Sequence, residues 1–231
     1  MNDQVTTLGH SAGYGISQEQ RHKVLRNTYW LLALSMIPTV LGAWVGVATG
    51  ITRSLSGGLG LIVFLGGAFG FMYAIEKTKR SAAGVPVLLA FTFFMGLMLS
   101  RMIGMILGFS NGAELIMTAF AGTGVVFLGM ASLSSVIKRD LSAMGKWLFI
   151  GALLILVAGI ANVFLQSGAL MVTIAVLAVG IFTAFILHDL KRVRDGYETN
   201  YITATLGVYL SLFNVFQALL MLLGIGGGNQ E

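Results

Sequence analysis

"LMVTIAVLAVGIFTAFIL", residues 170–187, runs for 18 residues without a charge, and "HDLKRVRDGYETNYI" (188–202) follows at once. An apolar run that long is a candidate membrane span, because roughly 20 such residues cross a hydrocarbon core. Its end, on a histidine, a carboxylate and then three basic residues, marks where the helix leaves the bilayer. Whether Asp189 is only a boundary residue or a working group is a separate question. The rest of the chain agrees with the span reading. Of 231 residues 56% are hydrophobic and 10% are charged, against about a quarter charged in a soluble domain. The 31 glycines and two prolines fit transmembrane helices, which tolerate Gly. Without a short period, and with abundant Leu, Ile, Val and Phe, a collagen-like or low-complexity chain is excluded.

Working outward, seven segments have the length and apolarity to span: 28–50, 55–75, 84–107, 113–137, 147–166, 169–189 and 202–225. The connections are short, so the predicted fold is an all-α membrane protein, one bundle with no soluble domain. Basic residues set its orientation. Arg21, Lys23 and Arg26 precede the first span; Lys77, Lys79 and Arg80 follow the second. Lys138, Arg139 and Lys146 follow the fourth, and Lys191, Arg192 and Arg194 the sixth. Twelve of the fourteen Lys and Arg thus gather on one side, and only Arg53 and Arg101 fall elsewhere. The positive-inside rule places that side and the N-terminus in the cytoplasm and the C-terminus outside. This asymmetry explains the net charge of +5 without nucleic acid. The expected organisation is a flexible cytosolic tail at 1–25, a single membrane domain at 26–226 and a short external tail at 227–231. The opening residues are polar and Gly/Ser-rich, with no apolar core or cleavage site, so no signal peptide is expected.

Chemistry-bearing residues are few. There is no cysteine, hence no disulfide, thiolate or Cys-type zinc site. The three histidines, at 10, 22 and 188, lack ligand spacing, and neither a metal site nor a cofactor is expected. Small residues at every fourth position mark faces where helices meet closely: Gly42, Gly46 and Gly50; Gly66 and Gly70; Gly96, Ser100, Gly104 and Gly108.

Polar groups inside apolar spans are costly and therefore informative. Arg101 lies about 25 Å along the third span, near the outer boundary. It either snorkels to the interface or lines an external vestibule with Glu114 as partner. Asn162, Asn214 and Gln217 are candidates for interhelical hydrogen bonds. Tyr209, Ser211, Asn214 and Gln217 can share one side of the last helix, which would then face protein or a wet cavity. Asp189 sits near the cytosolic boundary, where an acid at a helix C-terminus opposes the macrodipole. It is either a solvated helix-end residue or a semi-buried carboxylate that takes up a proton near neutral pH. His188 reads as an interfacial neighbour. Adjacent on a helix, His188 and Asp189 face different sides, so no catalytic pair is expected and the chain is read as non-enzymatic.

"HKVLRNTYWLLALS" (22–35), "IANVFLQ" (160–166) and above all "YETNYITATLGVYLSLFNVFQALLMLLG" (197–224) resemble the bacterial YccA-like branch of the Bax-inhibitor family, the transmembrane Bax-inhibitor-motif proteins. The resemblance implies seven helices with the last enclosed by the other six. It implies a place in the bacterial inner membrane and binding to the membrane-anchored, ATP-dependent protease FtsH as a poor substrate that restrains it. Other members are pH-sensitive calcium leaks, gated by aspartates on helices six and seven that share a proton. Through the pattern in "FILHDL" (185–190) the first aspartate falls on Asp189. The second falls on Ser211, in "YLSLFN" (209–214). That departure removes the like-charge repulsion that would raise a carboxylate pKa, and one carboxylate is a poorer site for a divalent cation. The leading expectation is a regulator of FtsH-type proteolysis in the lipid bilayer. The alternative is a proton-responsive calcium leak with Asp189 as sensor.

Overall fold

The computed structural model describes residues 17–52, 55 and 57–227. Residues 1–16, which hold most of the expected tail, and Arg53 lie outside the described residues, as do 228–231 at the other terminus. Among the described residues are seven helices: α1 (Gln18–Thr49), α2 (Gly57–Thr78), α3 (Gly84–Ile106), α4 (Gly112–Val136), α5 (Ser142–Leu165), α6 (Gly168–Asp195) and α7 (Tyr201–Gly227). All seven are long and apolar enough to cross a membrane. The seven expected spans are therefore found in order.

Several helices outrun their spans at the basic end, and local chemistry explains where they stop. α1 begins inside the stretch read as tail. The Ser17 hydroxyl accepts the Gln20 N–H at 3.2 Å and the Gln20 amide oxygen accepts the Ser17 N–H at 3.1 Å, a reciprocal capping box. α6 continues to Asp195 and ends on Gly196 at φ 85, a left-handed cap that glycine adopts without strain. The start of α7 explains part of the "YETNYI" stretch. Asn200 accepts the N–H groups of Ile202 and Thr203 at 2.9 and 3.1 Å, an N-cap. Its amide also donates to the Lys79 carbonyl at the end of α2, at 2.8 Å.

Helices α1 and α3 form the closest interface. A methyl added to Gly42 would overlap the Phe93 carbonyl, one on Gly96 the Thr39 carbonyl, and one on Gly46 the Ser100 side chain. That face is the one the spacing predicts. The other expected faces are looser: Gly66, Gly70 and Gly104 have open space where a Cβ would go. In α2 the close positions are Gly67, against the Phe94 ring, and Gly60, against the Leu55 carbonyl just ahead of the helix. Four-residue spacing marks a face of a helix but carries no information about which neighbour covers it.

The centre of the bundle is α7. Half of its most apolar stretch is buried, the largest share of any helix, against 6% for α5. α7 packs against α1, α2, α3, α4 and α6, whereas α5 touches only α6 and α2. Five helices thus contact α7, and α5 lies outside them. The Tyr209 hydroxyl pairs with Thr39 Oγ1 at 2.9 Å and lies 3.4 Å from the Thr92 carbonyl, tying α7 to both α1 and α3 in the core.

Candidate functional site

The ends carrying the basic clusters meet at one end of the bundle. There the last turns of α6 form a network that starts from sequence spacing. Lys191 and Asp195, four residues apart, are an ion pair on one helix face, with the Lys191 side chain 5% exposed. Arg194 uses its planar fork more widely. It donates to the Ser134 carbonyl, to the Ile137 carbonyl at 2.9 Å and to Asp195 at 3.1 Å. It therefore satisfies carbonyls that the C-terminus of α4 leaves without helical partners. These roles were not visible in the sequence, where the same residues registered only as topological charge. The four-residue spacing of Lys191 and Asp195 was the one available signal.

Asp189 points between helices. Its side chain is 18% exposed, and Oδ1 lies 3.1 Å from His188 Nδ1. While Asp189 is ionised it can only accept, so Nδ1 carries the proton. The two neighbours face different helices, His188 toward α5 and Asp189 toward α7, yet their side chains also meet at the ring Nδ1, a contact that their spacing on the helix did not suggest. Both are keyed into glycines. A Cβ on Gly145 of α5 would lie 2.7 Å from His188 Nε2, and one on Gly207 of α7 would lie 2.9 Å from Asp189 Oδ2. From α6 the pair thus reaches α5 on one side and α7 on the other. Phe185 meets the His188 ring edge to face, with centroids 6.4 Å apart and ring planes at 85°.

A cleft of about 590 Å³ opens beside the pair, lined from α5, α6 and the α4–α5 connection by Ser142, Lys146, Phe149, His188 and Asp189 among others. At its rim the Ser142 N–H and hydroxyl both reach Asp140 at 2.9 Å. The Ser142 N–H foremost holds the Asp140 carboxyl below its usual range.

The other expected residues are not drawn together. Ser211 is buried, and its hydroxyl donates to the Gly207 carbonyl at 3.1 Å. Asn214 donates to the Leu210 carbonyl at 2.8 Å, and Tyr209 faces α1 and α3. Tyr209, Ser211 and Asn214 of the α7 stripe thus spend their donors locally or on the core. At the far end Arg101 is exposed and donates to the Leu55 carbonyl at 3.0 Å. Among the described residues no ion pair joins it to Glu114, which is exposed in the first turn of α4. The vestibule pairing is therefore not formed. Among the described residues no group of three or more His, Asp or Glu is placed to hold a metal ion.

The geometry can be set beside known proteins. The chain is 36% identical to the modulator of FtsH protease YccA of Escherichia coli over 203 residues, which are 88% of this chain and 90% of that protein. An uncharacterised membrane protein of Vibrio cholerae is 33% identical over 91% of this chain and 92% of its own length. A protein of Neisseria meningitidis is 35% identical over 90% and 93%. Residues 21–228 match the family model described as inhibitor of apoptosis-promoting Bax1. With that match covering nearly every described residue, and seven spanning helices beneath it, this multi-pass membrane protein belongs to the Bax-inhibitor family.

Proposed function

We propose that the protein is an inner-membrane modulator of an FtsH-type protease, a non-enzymatic regulator that binds it as a poorly degraded substrate. The observation that carries this reading is the near full-length similarity to a protein named a modulator of FtsH protease. The bundle supplies a physical reason for poor degradation. A protease drawing in the polar segment ahead of Ser17 would pull first on α1. That helix is locked to α3 by the Gly42, Gly46 and Gly96 contacts and to α7 by Tyr209. The positive-inside rule puts that segment on the cytoplasmic side. Deleting residues 2–16 should abolish protease modulation and co-purification while membrane insertion is kept. Modulation that survives the deletion, or a full chain that never co-purifies with the protease, would sink the proposal.

A second reading, a proton-responsive leak for calcium or other cations, is supported by one contact: the Asp189 carboxylate against helix seven at Gly207. The sensor would act without a second acid, since Ser211 stands where leak-type relatives carry one. In dye-loaded liposomes followed across neutral pH, this reading expects a calcium flux whose pH dependence Asp189→Asn flattens. No flux, or one that Asp189→Asn leaves as it was, disposes of it.

A further inference from the structure

The cleft between α5 and α6 has chemistry that protease binding does not call on. Six charged side chains line it: Asp140, Asp189 and Asp195 against Lys146, Lys191 and Arg192. All three carboxylates are committed. Asp140 accepts from the Ser142 N–H and hydroxyl, Asp189 pairs with His188, and Asp195 pairs with Lys191 and Arg194. Lys191 is committed with it and buried. Lys146 and Arg192 remain. Both are exposed, and among the described residues neither has an ion-pair partner. Among the described residues, the two charged side chains of the lining left without a partner are therefore both cations.

The position and the apolar part of the lining narrow the ligand. Lys146 is one turn into α5, about 6 Å from its start, at the depth where a span passes from headgroups into hydrocarbon. Phe149, almost one turn further, also lines the cleft and is 65% exposed on the outer surface of the bundle. α5 is the least buried helix, so the wall that it gives the cleft borders the lipid-facing surface. The ligand must offer an anion to Lys146 and Arg192 and an apolar body to Phe149. A cleft of about 590 Å³ is in the range of small-molecule sites, roughly 300–1,000 Å³.

We propose that this cleft binds an anionic phospholipid of the leaflet at the basic end, its phosphate between Lys146 and Arg192 and its glycerol and upper acyl segments along Phe149. A phosphate ester presents acceptor oxygens and a negative charge, which suit an ammonium and a guanidinium. Exposed cations at this depth attract anionic lipid in any case; the proposal is that this pair forms a site rather than part of a diffuse field. It stands independently of the protease reading.

The test uses the full-length chain, purified and stripped of lipid, with native mass spectrometry as readout. Phosphatidylglycerol and phosphatidylcholine with the same acyl chains are titrated separately, and glycerol 3-phosphate is the soluble competitor. Phosphatidylglycerol should bind about tenfold tighter than phosphatidylcholine, as two near-surface cations allow. Lys146→Gln with Arg192→Gln should remove that preference. Lys138→Gln with Arg139→Gln makes the same change of charge at the same end, on exposed residues outside the cleft, and should keep it. Equal losses in the two double variants would mean diffuse attraction and overturn the site. So would the absence of any preference for phosphatidylglycerol. Displacement of the lipid by glycerol 3-phosphate would overturn the lipid assignment in favour of a soluble phosphate ester.

Discussion

Gly96→Ala should destabilise the bundle by about 3 kcal/mol, at the upper end of what forced overpacking costs, while Gly104→Ala on the same helix should change stability by less than about 1 kcal/mol. The contrast isolates one cause. Both substitutions add one methyl to α3, and both replace glycine by a better helix former. At Gly104 a Cβ meets open space, whereas at Gly96 it meets the backbone of α1 at Thr39. A side chain in the way could rotate aside; a helix carbonyl cannot, so α1 and α3 must separate. Separation would also stretch the Thr39–Tyr209 contact of 2.9 Å and loosen α7. Unfolding in a graded denaturing detergent mixture gives the two stabilities. If the protein is a restrained protease substrate, Gly96→Ala should also be degraded faster than wild type. Equal tolerance of the two alanines would show that the close approach of α1 and α3 is not what holds them.

Arg194→Ala should cost about 2 kcal/mol, the scale of losing charge-assisted hydrogen bonds to partly buried acceptors. The side chain is 27% exposed, and its removal strips the Ser134 and Ile137 carbonyls of their donor. Arg194→Lys should recover less than half of the loss, because an ammonium lacks the planar fork that reaches two carbonyls and Asp195 together. Limited proteolysis adds a local readout. The segment from Ile137 to Leu141, between α4 and α5, should be cut sooner in both variants. A lysine variant as stable and as resistant as wild type would rule out the bidentate role.

The number of helices, their order and the gathering of the basic ends were legible because each rests on the solvent. Lipid demands long uncharged runs, and the ends of those runs are where charge is allowed. Helix ends were less legible. Hydropathy marks what crosses the bilayer, whereas the start of α1 is set by the Ser17 and Gln20 cap and the end of α6 by Gly196. The place of α5 was also hidden. Its apolar sequence is as suited to a buried helix as to a lipid-facing one, and only the packing shows that it touches α6 and α2 alone. At the candidate site the sequence identified Asp189 but not its surroundings. Its contact with His188 depends on rotamers, and its contact with Gly207 on how α6 meets α7. Neither has a period that a sequence can display.

The peripheral seat of α5 has a mechanical consequence. A single residue of that helix, Leu148, is buried, so its displacement exposes little that the core depends on, and local stability follows such contacts. Load applied to α5 is met by α6 and α2, and passes to α7 across the extensive α6–α7 interface. The bundle therefore has a stiff half, where α1, α3 and α7 interlock, and a compliant flank carrying the cleft. Whatever occupies that cleft acts on the least buried helix of the bundle, at its basic end.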